Sequence, residues 1–187
     1  MALQPVILSK PDQIRLRILE AVDQPIGEMS VKMICDNAGI SRQTFYNHFE
    51  SKYDISLWFS YLIDDMTLRQ IGRTATWEEG LLAYCSSIYE RRSFFKLTAK
   101  KRLADNHQGK RTAESHRSDE MRETLVMRGV ERIPDDLSFC ITYYARTECS
   151  AIGDWMRTGC TTLPAQMAHN MYELVPPLLR EAFALEP

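Results

Sequence analysis

The chain has 187 residues, 44% of them hydrophobic, enough to bury the cores of one small and one medium domain. Its 23 Lys and Arg against 25 Asp and Glu leave a net charge of -2, so it has no overall basic coat, and any grip on a polyanion depends on where single charges sit. No apolar run approaches membrane-spanning length, and MALQPVILSKP is too short and lacks a small-residue cleavage site for a signal peptide, so the expected location is the cytoplasm.

Ser9 to Asp12 supplies a cap, an early Pro and an acid. They open a helix with Ile14, Ile18 and Val22 on its buried face and Arg15 and Arg17 outside, ended by Pro25 and Gly27. Ser30 caps a second helix, in which Val31, Ile34, Cys35 and Ala38 recur at three- and four-residue spacing. Gly39 supplies the left-handed reversal that ends it. Ser41 caps a third helix over 42–49, with Phe45 and Phe49 turned inward. Its other face gathers Arg42, Gln43, Thr44, Tyr46, Asn47 and His48. Two short helices joined at a Gly turn make a helix-turn-helix, a device that lays its second helix in the DNA major groove.

The residue types suit a duplex. Arg forks onto guanine, Gln bonds to adenine, and the Thr methyl meets a thymine methyl, while Tyr, His and Lys reach phosphate oxygens. Because such helices present their N-terminal residues to bases, Arg42, Gln43 and Thr44 are assigned to base edges. Ser41, Tyr46, His48 and Lys52 are assigned to the backbone, and Ser30, Lys32 and Asn47 complete the candidate DNA-binding set.

The run ISLWFSYLIDDM forms a longer helix with Ile55, Trp58, Phe59, Leu62 and Met66 at helical spacing, broken near Gly72 to Thr74. Thr76 with Glu78 and Glu79 signals a capped helix through Leu81, Tyr84, Cys85 and Ile88. Another is expected over 93–104, carrying Phe94, Phe95, Leu97 and Leu103, with Lys96, Lys100, Lys101 and Arg102 as a solvated face. Asn106 to Ser118 lacks periodic apolar residues, which predicts a mobile connection with solvated His107 and His116. Asp135 and Asp136 open a long helix to about Arg157, ended by Gly159. A last one starts near Thr161 or Thr162 and runs to Leu174, before Pro176 and Pro177 turn the chain into a short terminal helix over 178–183. Strand alternation is missing, so the predicted fold is all-α: a helix-turn-helix domain over 1–52 and a helical domain over 53–187. Cys35, Cys85, Cys140, Cys149 and Cys160 are scattered without CxxC spacing, which predicts free thiols and no zinc site. With no nucleophile motif, metal spacing or phosphate loop, the chain reads as neither an enzyme nor a cofactor carrier.

The segment AGISRQTFYNHFESKYDI resembles the DNA-binding segment of the TetR/AcrR family of bacterial regulators. The resemblance lies in Ala38, Gly39, Ser41, Thr44, Phe45, Tyr46, His48, Phe49 and Lys52, taken in order. Gln43 stands where many members have Gly. The string RQTFY, with QPIGEMSV before it, is similar to the branch that contains the dihydroxyacetone-kinase operon regulator, and YYARTECSAIGDWMRTGCTTLPAQMAHNMYELVP resembles that branch more loosely. The resemblance implies a homodimer on a palindromic double-stranded operator, acting as an effector-responsive repressor. It further implies control by a small molecule or, in this branch, by a partner protein. An implied effector cavity would draw on Trp58, Tyr61, Tyr84, Phe94, Phe95, Tyr143 and Tyr144, and an implied dimer seam on Ala145, Cys149, Ile152, Gly153, Met156, Met167 and Met171. The alternatives are an activator, and a protein-binding module without DNA affinity.

Overall fold

The computed structural model describes residues 9–97 and 107–185, side chains at 107–112 excepted, and those residues form helices joined by turns, with no strand. Helix α1, Lys10–Glu20, starts where Ser9 Oγ accepts from Asp12 N at 3.3 Å. Helix α2, Val31–Ala38, starts where Ser30 Oγ accepts from Met33 N at 3.1 Å. It ends at Gly39, whose φ of 63° is the left-handed conformation that a side chain disfavours. Ile40 N then closes the reversal on Cys35 O at 3.0 Å.

Helix α3, Arg42–Tyr46, stops short of the expected Phe49. After Tyr46 the backbone tightens, with His48 N bonding to Phe45 O at 2.9 Å, and Phe49 still turns inward beside Phe45. Lys52 explains the tightening: its ammonium donates to Gly27 O at 3.2 Å and also to Met29 O, drawing the chain back over the α1–α2 connection. Arg17 is exposed as expected, whereas Arg15, also expected outside, is half-buried. The Arg17 guanidinium donates to Ala38 O at 2.8 Å, satisfying an orphan carbonyl at the end of α2. Arg15 lies over the rings of Phe49 and Trp58.

Helix α4, Asp54–Met66, leaves this unit and enters the second. Its Ile55 is buried beneath the helix-turn-helix, while Phe59 stacks on Phe95 at 5.7 Å, within a helical stretch over 92–97 (α6). The expected continuation of α6 to Ala104, with Lys100, Lys101, Arg102 and Leu103, lies outside the described residues. Between them, helix α5, Trp77–Glu90, begins with a full capping box: Glu79 N donates to Thr76 Oγ1 and Thr76 N to the Glu79 carboxylate.

The segment expected to be a mobile connection is instead the front of helix α7, His107–Met127. Its anchors come late, at Arg117, Glu120, Met121, Thr124 and Leu125, all buried, so the polar first turns carry no apolar period to read. His116, expected to be solvated, is partly buried and stacks on Tyr61 at 4.2 Å; the His107 side chain lies outside the described residues. Helix α8, Asp135–Arg157, lies along α7, and helix α9, Pro164–Glu173, along α5. Helix α9 begins two or three residues later than expected because Pro164 takes the first turn, where its missing N–H costs nothing. The short helix α10, Pro177–Ala182, closes against α8.

Candidate nucleic-acid interface

Helix α3 is held from behind by Phe45, wholly buried, and by Phe49. Its front is open: Arg42, Gln43, Tyr46 and Asn47 are exposed, and Thr44 and His48 half-buried. The Ser41 hydroxyl accepts from Thr44 N at 2.9 Å and lies 2.9 Å from Thr44 Oγ1, ordering the end that would meet a duplex. Gln43 Nε2 donates to Asn47 Oδ1 at 3.0 Å, which couples the two amides one turn apart. Arg42 is the only charged side chain on α3, so no carboxylate on this helix opposes a phosphate. Ser30 is spent on capping α2, and Lys32 pairs with Asp36 at 2.8 Å, both largely in water. Lys52 is tied to backbone carbonyls at the edge of the unit, so its charge is positioned rather than swinging freely.

The seven candidate effector residues fall into separate groups. Phe94 and Phe95 join Phe59 in an aromatic cluster, and Trp58 sits edge-on to Phe49, toward the helix-turn-helix. Tyr143 is half exposed on α8 and pairs with exposed Phe139 at 4.3 Å. Only Tyr61, Tyr84 and Tyr144 gather at one place, a charged centre between α4, α5, α7 and α8 that apolar periodicity could not reveal. There Arg117 Nε donates to Glu148 Oε2 at 2.6 Å, Arg117 Nη1 donates to Leu68 O at 3.3 Å, and Tyr144 donates to Glu148 Oε1 at 3.1 Å. Glu120 stands 3.3 Å from His116 Nε2 and 3.7 Å from Arg117 Nη1.

Burial, reinforced by the nearby Glu120 carboxylate, pushes the Asp64 carboxyl up to about 8. Burial opposes the charge on Arg117, but Glu148 and Glu120 hold it protonated beyond its ordinary range. The Glu120 carboxylate beside His116 likewise raises that imidazole. The one sequence signal for this centre was the three- and four-residue spacing of His116, Arg117 and Glu120 on a helix surface. All five cysteines are free, and burial pushes the Cys85 thiol up to about 12.

Of the seven seam candidates, Ala145, Ile152, Met167 and Met171 are buried within the subunit itself. Cys149, Gly153 and Met156 are half-buried, and a Cβ on Gly153 would meet nothing within 4 Å.

The sequence matches the model for bacterial regulatory proteins of the tetR family over residues 20–57, and that for a transcriptional regulator C-terminal region over residues 75–176. Among solved structures it is similar to the dihydroxyacetone kinase operon activator DhaS, at 17% identity and a TM-score of 0.60 over 90% of this chain and 96% of that one. It is also similar to a tetR-family transcriptional regulator from Streptomyces coelicolor, at 19% identity and a TM-score of 0.53 over 94% and 90%. At these identities the likeness is one of fold. No curated protein matches the sequence.

Proposed function

We propose that this chain, which belongs to the tetR family of bacterial transcriptional regulators, works as a homodimeric repressor whose hold on a palindromic operator is released by a signal received in its C-terminal domain. The observation that carries DNA reading is the open face of α3, with Arg42, Gln43 and Thr44 at its N-terminal end and no carboxylate among them. Arg42, Gln43 and Thr44 read base edges; Ser41, Tyr46, His48 and Lys52 meet phosphates; Ser30, Lys32 and Asn47 border the contact. The helix-turn-helix unit is residues 1–52, and the remainder receives the signal and dimerises. Two-fold symmetry sets two α3 helices about one DNA turn apart, so a signal needs only to alter their separation. For that it must bind the DNA-incompetent state more tightly.

Selecting duplexes from a random pool, with the complex sized by light scattering, tests this: an enriched palindrome held by a dimer is expected. Arg42→Ala and Gln43→Ala each weaken the selected site by about 1–3 kcal/mol and relax preference at one base position. Unchanged affinity in both would remove direct base readout by α3. The name of DhaS, an operon activator, favours activation as the second reading, and the sign of a reporter response to deleting the protein separates the two.

A further inference from the structure

Asp64 of α4, Glu120 of α7 and Glu148 of α8 bring three carboxylates from three helices to one interior place. Arg117, the one guanidinium among them, is committed to Glu148 through Nε and to the Leu68 carbonyl through Nη1. That leaves Glu120, 4% exposed, with contacts of only 3.3 and 3.7 Å to His116 and Arg117. Asp64 Oδ1 is buried and accepts no hydrogen bond, and Arg117 Nη2 donates none. Excess negative charge in an interior of low dielectric is relieved by a proton or by a counter-cation.

The walls point to the second. Tyr61 lies 4.2 Å from the His116 ring, Tyr144 holds Glu148, and Trp77 meets Tyr144 edge-on at 5.4 Å. Tyr84 is close enough to Asp64 and Glu148 for both carboxylates to suppress its ionisation, after burial. Carboxylates enclosed by electron-rich rings are the surroundings in which an ammonium or guanidinium group replaces its hydration shell. Among the described residues no group of three or more His, Cys, Asp or Glu is arranged to hold a metal ion.

We propose that this centre binds a compact organic cation, an alkylammonium or alkylguanidinium group seated between Asp64 and Glu120 against the tyrosine rings. The inference rests on the C-terminal domain being the receiver of the signal. Its route to DNA is α4, which carries Asp64 near one end and buries Ile55 beneath the helix-turn-helix at the other. A cation that draws Asp64 toward Glu120 therefore acts on the helix that holds the reading head. Glu120, Arg117 and His116 from α7, Glu148 from α8 and Tyr84 from α5 all face Asp64, so a bound cation competes with the proton that Asp64 otherwise keeps. Binding releases that proton and strengthens as pH rises toward about 8.

The test uses the full chain with 1,4-diaminobutane and butylguanidine as probes, and 1,4-butanediol and butyrate as neutral and anionic controls, by calorimetry and operator binding. Both cations are expected to bind, more tightly at about pH 8 than at about pH 6.5, and to change operator affinity. Asp64→Asn, and independently Glu120→Gln, should weaken them by about tenfold or more with the fold intact by circular dichroism. Absence of binding, equal binding of the diol, undiminished affinity in both variants, or binding that leaves operator affinity unchanged each overturns the proposal. Failure of the ligand-free protein to select any operator would count against the regulator reading instead.

Discussion

Asp64 shows how one buried carboxyl makes stability depend on pH. Its value in the folded chain, about 8, lies above the ordinary 3.8, so between these limits the folded state holds a proton that the unfolded state has released. The stability it contributes is fully present below about pH 4 and is lost as pH rises through about 8. His116, also raised, adds loss in the same direction as pH climbs past its ordinary 6.5. Asp64→Asn should therefore melt increasingly above the parent from about pH 4 to about pH 8; parallel melting curves across that range would show that Asp64 ionises freely. At the reading head, Ser41→Ala removes the side-chain cap of α3 and should cost about 1 kcal/mol by chemical denaturation. The cap, the Gly reversal and the buried Phe pair were all legible, because each acts within a few residues of chain. The carbonyl bonds of Arg17 and Lys52 were not, since their partners lie 21, 23 and 25 residues away.

Among the elements, α7 departs furthest from expectation, and its energetics differ accordingly. It is anchored at its middle by an ion pair, Arg117 being 4% exposed and Glu148 2%, and only beyond it by the apolar Met121 and Leu125. Arg117→Met would leave Glu148 charged, buried and without its guanidinium, at a cost of roughly 3–5 kcal/mol, whereas replacing both partners by apolar residues should recover much of it. A double-mutant cycle by urea denaturation measures the difference. Helix α5 depends on close approach instead. A Cβ on Gly80 would lie 2.4 Å from Ile71 Cγ1 and 3.4 Å from the Thr67 carbonyl, so Gly80→Ala should push α5 from the turn behind α4 and cost roughly 1–3 kcal/mol. A neutral effect would mean that Ile71 repacks without cost.

At the scale of the whole molecule, its surface decides what it can meet. No helix among the described residues is long and apolar enough to cross a membrane. The outward face of α8 carries Phe139 and Tyr143, 62% and 50% exposed, with the Arg146 guanidinium 5.0 Å over the Tyr143 ring. With four of the proposed seam residues spent on the subunit's own core, this aromatic face is where a second copy would be felt. Phe139→Asp with Tyr143→Asp should shift the protein toward monomer by light scattering and weaken operator binding; a dimer of unchanged strength would move the seam elsewhere. With Lys52 the one Lys or Arg assigned to a phosphate in each subunit, operator affinity should fall only shallowly with salt.

The sequence by itself determined the helix-turn-helix, its caps, the inward Phe45 and Phe49 and the polar face of α3, because hydrophobic period and capping chemistry are local. It determined the all-helical class for the same reason. Only the tertiary structure decided that residues 107–118 are helical, that Ala145, Ile152, Met167 and Met171 are interior, and that Asp64, Arg117, Glu120 and Glu148 meet. Those outcomes depend on which helices lie side by side, and a buried charge becomes tolerable only when a partner from another helix arrives to share it.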